Sequence, residues 1–181
     1  MSRILIVCAL EMETQNQLDD YDILHTGAGK VNATYNLTKV LLEDRHELVI
    51  NYGTAASKVY KGLVDCTRFI QRDMDATPLG FKKGETPFED EPMMIDFSDI
   101  KNPIGKNLCC YTGDSFITDM TPYDDVVDME SYALAKTCRN FDIDFVSYKY
   151  ITDDGNVDDW KENCSKGIEE FKKVLEHYDN F

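Results

Sequence analysis

The sequence predicts an α/β fold with three layers, α/β/α, around a central mixed and largely parallel sheet. Three observations predict it. Apolar runs rich in β-branched residues, such as "RILIVCAL" at 3–10, have the pattern of strands covered on both faces. Segments with apolar residues at helical spacing alternate with those runs. Several of the runs end in glycine, small residues or carboxylates, and in open α/β sheets ligands gather outside the carboxyl ends of strands.

In chain order, "RILIVCAL" is the first strand, and "LEMETQNQLDD" after it reads as a short polar helix. "YDILHTGAGK" is a second strand closed by a turn at Gly27 and Gly29. From Lys30 the spacing of Val31, Tyr35, Leu37, Val40 and Leu41 predicts a helix packed on the sheet through those residues. "HELVINYGTAAS" supplies a third strand ending in small residues, and "GLVDCTRFIQRDMDAT" a fourth. The stretch from Pro78 to about Asn107 holds four of the five prolines and reads as mostly loop. "NLCCYTGDSFI" and "DVVDME" follow as strands, "SYALAKTCRNF" as a helix with Ala133, Leu134, Cys138 and Phe141 inward, and "DFVSYKYITDD" as the last strand. A final helix carries Ile168, Phe171, Val174, Leu175 and Tyr178 on one stripe.

With 181 residues, 43% hydrophobic and 29% charged, and without repeats or a Gly/Ser-rich linker, the chain is expected to form one domain over 1–181. Its 34 acidic and 19 basic residues leave a formal charge of −15, which repels polyanions and excludes nucleic acid and anionic membrane as partners. Acidic runs such as "FEDEP" and "DDGNVDDW" read as solvated faces. The cysteines at 8, 66, 109, 110, 138 and 164 form no C-x-x-C pair, and several fall in apolar patterns. They read as buried free thiols in a reducing compartment, with neither a disulfide framework nor a metal site. The first apolar run is too brief for a signal peptide, and no stretch approaches the roughly 20 apolar residues of a membrane span, so a cytoplasmic location is expected.

Six strand ends carry candidate chemistry: "ALEME" with Glu11 and Glu13, "TGAGK", "NYGTAA", "TGDSFI", "VDME" with Asp128 and Glu130, and "ITDD". Buried carboxylates are costly unless something pairs with them. The residues alone leave structural alternatives open. Glu13 and Glu130 are also suited to a helix start, where the dipole favours an acid, Asp153 to the turn before Gly155, and Phe116 to a core. "TGAGK" by itself is a weak phosphate-loop lookalike.

In the order "ALEME", "TGAGKVNA", "INYGTAAS", "TGDSFI", "VVDMESYALA" and "YITD", these motifs resemble the purine and uridine phosphorylase superfamily, and within it the bacterial 5′-methylthioadenosine/S-adenosylhomocysteine nucleosidases, from about Arg3 to Asp153. The resemblance implies hydrolysis of the N-ribosidic bond of an adenine nucleoside, with no metal or organic cofactor. It implies Glu13 as the base that activates water, Asp153 as the acid toward the purine, and Glu130 as the acceptor of the ribose hydroxyls. Met129 would pack on the sugar and Phe116 and Ile117 on the purine. Thr54 and Gly53 would lie near sugar and water. Lys149 stands where the nucleosidases carry an arginine, keeping the charge without the bidentate fork. A homodimer is implied through "RDMDATPLGF", with Asp75 in the interface. Departures from the pattern are Ala56-Ser57 in place of two glycines and a shorter chain, which leave open a phosphate-dependent phosphorylase or a non-catalytic nucleoside-binding domain.

Overall fold

The computed structural model describes residues 4–178, so Arg3, where the resemblance begins, lies outside the described residues. The strands are β1 Ile4–Cys8, β2 Ile23–His25, β3 Leu48–Ala56, β4 Gly62–Gln71, β5 Met94–Asp96, β6 Leu108–Thr112, β7 Val126–Asp128 and β8 Asp144–Asp153. The helices are α1 Glu11–Thr14, α2 Lys30–Glu43, α3 Ser131–Asn140, α4 Val157–Asn163 and α5 Ile168–Leu175. The pairings β1–β2, β1–β3, β3–β8, β4–β6 and β6–β7 are parallel, and β3–β7, β4–β5 and β4–β8 antiparallel. The sheet is therefore mixed and largely parallel, as expected. Because β8 pairs with both β3 and β4, the strands β3, β7, β6, β4 and β8 also close into a ring.

Alternation along the strands feeds two cores. Leu5 and Val7 of β1, Val49 of β3 and Phe145 of β8 pack with Leu37 of α2 and Leu134 and Cys138 of α3. Ile4, Ile6, Ile50, Tyr52, Val146 and Tyr148 point the other way, onto Phe171, Val174 and Leu175 of α5. Tyr52 stacks on Phe171 with ring centroids 4.4 Å apart. Helices on both faces explain why β1 is buried at every position.

Several local expectations are corrected. The polar helix after β1 is only Glu11–Thr14, because Gln15 and Asn16 adopt left-handed backbone and stop it. On α2 the buried face is Ala33, Leu37 and Leu41, while Val31 and Tyr35 are exposed. At about 100° per residue, Val31 lies about 200° round the helix from Ala33, so both cannot face the sheet. The proline-rich stretch holds a short strand, β5, paired antiparallel with β4 through Phe69 and Ile95. The acidic run read as a solvated face holds helix α4, none of whose residues is buried, so that reading stands.

The closure of the ring positions the site. Strand β3 meets β7 through one pair, Ala56 with Val127, so the carboxyl ends of two oppositely directed groups of strands come together. The residues that follow β1, β6 and β7, and the last residues of β3 and β8, share one cleft.

Candidate active site

That cleft is a cavity of about 250 Å³. Glu13, Thr54, Phe116, Ile117, Met129, Glu130 and Asp153 line it, together with Ala9, Leu10, Ala28, Ser115, Asp128 and Trp160. Of the residues singled out in the sequence, Gly53 and Lys149 are not in its lining.

Glu13 is buried and Glu11 exposed, which settles which acid of "ALEME" turns inward. As the third residue of α1, Glu13 reaches back so that Oε2 accepts the Leu10 N–H at 3.1 Å. The same oxygen accepts the Cys8 thiol at 3.2 Å. Its Oε1 accepts both the Thr54 N–H and the Thr54 hydroxyl at 2.8 Å. Burial, reinforced by the Glu13 carboxylate, pushes the Cys8 thiol well above its ordinary value, so it stays protonated and able to donate.

Gly53 explains how Glu13 and Lys149 share the floor beneath the cavity. A Cβ there would stand 3.3 Å from Lys149 Nζ and 3.5 Å from Glu13 Oε1. Lys149 is almost fully buried, with Nζ 2.9 Å from Asp128 Oδ2. Lys149, expected beside the substrate, is thus absent from the cavity lining, and its ammonium pairs with Asp128 in that lining. Asp128 also accepts the Thr112 hydroxyl on Oδ1 and the Ser131 hydroxyl on Oδ2, each at 2.6 Å. Burial opposes its charge, but Lys149 and these hydroxyls outweigh burial and hold Asp128 down at about 2. Burial likewise opposes the charge on Lys149, and Asp128 overcomes it, holding the ammonium above its ordinary value.

Glu130 occupies the residue before α3 and is buried. One of its oxygens accepts the Gly29 N–H at 2.8 Å, which joins the "TGAGK" turn to the site. Gly29 has φ of +89°, a left-handed backbone that favours glycine. Burial, then the neighbouring Asp128 charge, push Glu130 up to about 7. Asp153 ends β8, accepting the Thr152 hydroxyl at 2.7 Å and the Gly155 N–H at 2.8 Å. Burial raises it from its ordinary value, those two donors partly offset the rise, and Asp154 and Asp159 add to it. Among the described residues no group of three or more His, Cys, Asp or Glu side chains could hold a metal ion.

Two contributors escaped the sequence reading. Arg72 donates to the Ser115 hydroxyl at 3.1 Å and to the Gly113 carbonyl at 3.0 Å, bracing the loop that carries Phe116 and Ile117. Trp160 of α4 stands in the cavity wall, and its Nε1–H donates to the Thr54 hydroxyl oxygen at 3.1 Å. The one available signal was that the chain's single tryptophan lies seven residues after Asp153.

The cleft and the mixed sheet around it define a class, the phosphorylase superfamily, whose sequence model matches residues 113–178. The comparisons then narrow that class. A 5′-methylthioadenosine/S-adenosylhomocysteine nucleosidase of Haemophilus influenzae (strain PittEE) is 31% identical over an alignment covering 76% of this chain and 69% of that protein. The chain belongs to this nucleosidase family. Among solved structures, a mutant of the Helicobacter pylori MTAN with 5′-methylthioadenosine in its active site superposes with a TM-score of 0.86 at 17% identity, covering 100% of both chains. A futalosine hydrolase mutant of the same species reaches a TM-score of 0.82 at 16% identity, covering 97% of each chain, so the fold recurs in a hydrolase with a different name.

Proposed function

We propose that this chain hydrolyses the N-ribosidic bond of adenine nucleosides, with 5′-methylthioadenosine and S-adenosylhomocysteine as substrates and free adenine as a product. The observation that carries the proposal is the convergence of Glu13, Glu130 and Asp153, distant in sequence, on one cavity. Asp153, raised by burial, holds or relays the proton for the nitrogen of the purine's five-membered ring. As the bond from C1′ to the base breaks, its electron pair passes to the purine, which takes that proton. Glu130 accepts the ribose hydroxyls, and those bonds strengthen as the sugar becomes cationic. Glu13 takes a proton from the water whose oxygen bonds to C1′. Met129 packs on the sugar and Phe116 and Ile117 on the purine. Gly53 and Lys149 act from beneath, Lys149 by keeping Asp128 ionised and ordered.

Water is favoured over phosphate because the nucleophile's side of the cavity presents the Glu13 carboxylate, while the Lys149 ammonium is paired below. The proposal takes residues 1–181 as one domain acting as a homodimer through "RDMDATPLGF", in the cytoplasm, where six buried free cysteines are at home. The test is incubation with methylthioadenosine, S-adenosylhomocysteine, adenosine and inosine in phosphate-free buffer, with chromatographic detection of free base. Turnover only on adding phosphate identifies a phosphorylase, and calorimetric binding without base release a binding domain. Sedimentation velocity checks the dimer.

A further inference from the structure

We infer that Trp160 is a positioning residue for the Glu13 carboxylate, acting through the Thr54 hydroxyl, so that helix α4 belongs to the catalytic apparatus. The inference rests on the hydrolase proposal above and deepens it.

A tryptophan indole nitrogen can only donate, whereas a threonine hydroxyl has one proton and two lone pairs. In the contact between Trp160 Nε1 and Thr54 Oγ1 at 3.1 Å, Thr54 is therefore the acceptor. The hydroxyl proton is left for Glu13 Oε1, 2.8 Å away. Without the indole the hydroxyl would turn among its staggered wells. With it, the rotor is confined to the arrangement that points at the carboxylate, and each bond in the chain polarises the next. The other donors to Glu13 are two backbone N–H groups and the thiol of Cys8, a weak donor. Thr54 is thus the strong side-chain donor on the base, and its direction is set by Trp160.

Helix α4 has no buried residue, so apolar packing does little to seat it. Two side-chain bonds tie it to the site. Trp160 reaches Thr54 beside the base, and Asn163 Nδ2 donates to the Thr152 carbonyl at 2.9 Å, one residue before Asp153. The helix spans both catalytic arms.

The test combines four variants, Trp160→Phe, Thr54→Val, Thr54→Ser and the double variant Trp160→Phe/Thr54→Val, with methylthioadenosine as substrate. Phenylalanine keeps an aromatic wall and removes only the N–H, so kcat should fall about 10-fold while KM stays within about 3-fold. The double variant should be no slower than Thr54→Val, because both remove one chain of bonds. Thr54→Ser should stay near wild type. A readout independent of turnover is the single indole N–H resonance of the labelled protein, which should move in Thr54→Val and hold in Thr54→Ser. Losses that add in the double variant, a change confined to KM, or an indole resonance indifferent to Thr54→Val would each overturn the inference while leaving an active wild type as a hydrolase. A wild type that releases no base overturns the proposal beneath it, and the indole resonance then still decides the geometry.

Discussion

Replacing Glu130 with glutamine should stabilise the ligand-free protein at alkaline pH while abolishing its activity. The amide is nearly isosteric, and its oxygen can still accept the Gly29 N–H. Glu130 is raised from an ordinary 4.5 to about 7, and that difference corresponds to about 3 kcal/mol of destabilisation once the native carboxyl ionises. Below the unfolded value both states keep the proton and the carboxyl costs nothing. Between 4.5 and 7 the unfolded chain ionises first, so wild-type stability falls as pH rises, and above 7 the loss is complete. Glutamine removes this pH-dependent loss but brings a buried amide N–H₂, which costs about 1 kcal/mol if it lacks partners. The net gain is about 2 kcal/mol at pH 8, or about 4–8 °C in Tm for a chain of this size, and it vanishes or reverses near pH 4.5. Thermal and urea unfolding at both pH values, without ligand, measure the gap, and base release by the same samples should drop at least about 100-fold. A gap that does not change with pH, or a variant less stable at pH 8 than the wild type, would refute the assignment of the strain to the buried Glu130 charge.

Three further outcomes follow from the same geometry. Lys149→Met leaves Asp128 buried without its partner and should cost about 3–5 kcal/mol by urea unfolding, less in acid, where Asp128 can take up a proton. Asp153→Asn keeps the shape but cannot deliver a proton, so kcat should fall about 10²–10⁴-fold in steady-state assays with methylthioadenosine, with a smaller change in KM. Gly53→Ala sets a methyl 3.3 Å from an ammonium locked to Asp128, and calorimetric unfolding should show a loss of about 1–3 kcal/mol together with slower turnover.

The strands and the carboxylates at their ends were readable because their causes are local. Burial of β1 at every position and the stripe Ile168, Phe171, Val174 and Leu175 on α5 follow from the pattern of apolar residues alone. The inward face of α2 was misjudged because Val31 and Tyr35 offer large apolar surfaces as Leu37 does, and only the sheet's position selects among them. The charge of Lys149 is visible in sequence and its partner is not. Asp128 lies 21 positions away and reaches it only because the ring of strands closes. Trp160 was hidden in an acidic run whose composition suits solvent.

The sequence by itself determined the fold class and the identity of the cavity carboxylates, since hydrophobic periodicity and the order of short motifs survive without coordinates. The tertiary structure alone decided that Lys149 pairs with Asp128 and that α4 reaches over to Thr54. Those outcomes depend on contacts between residues 21 and 106 positions apart. Such contacts exist only once the chain has closed on itself.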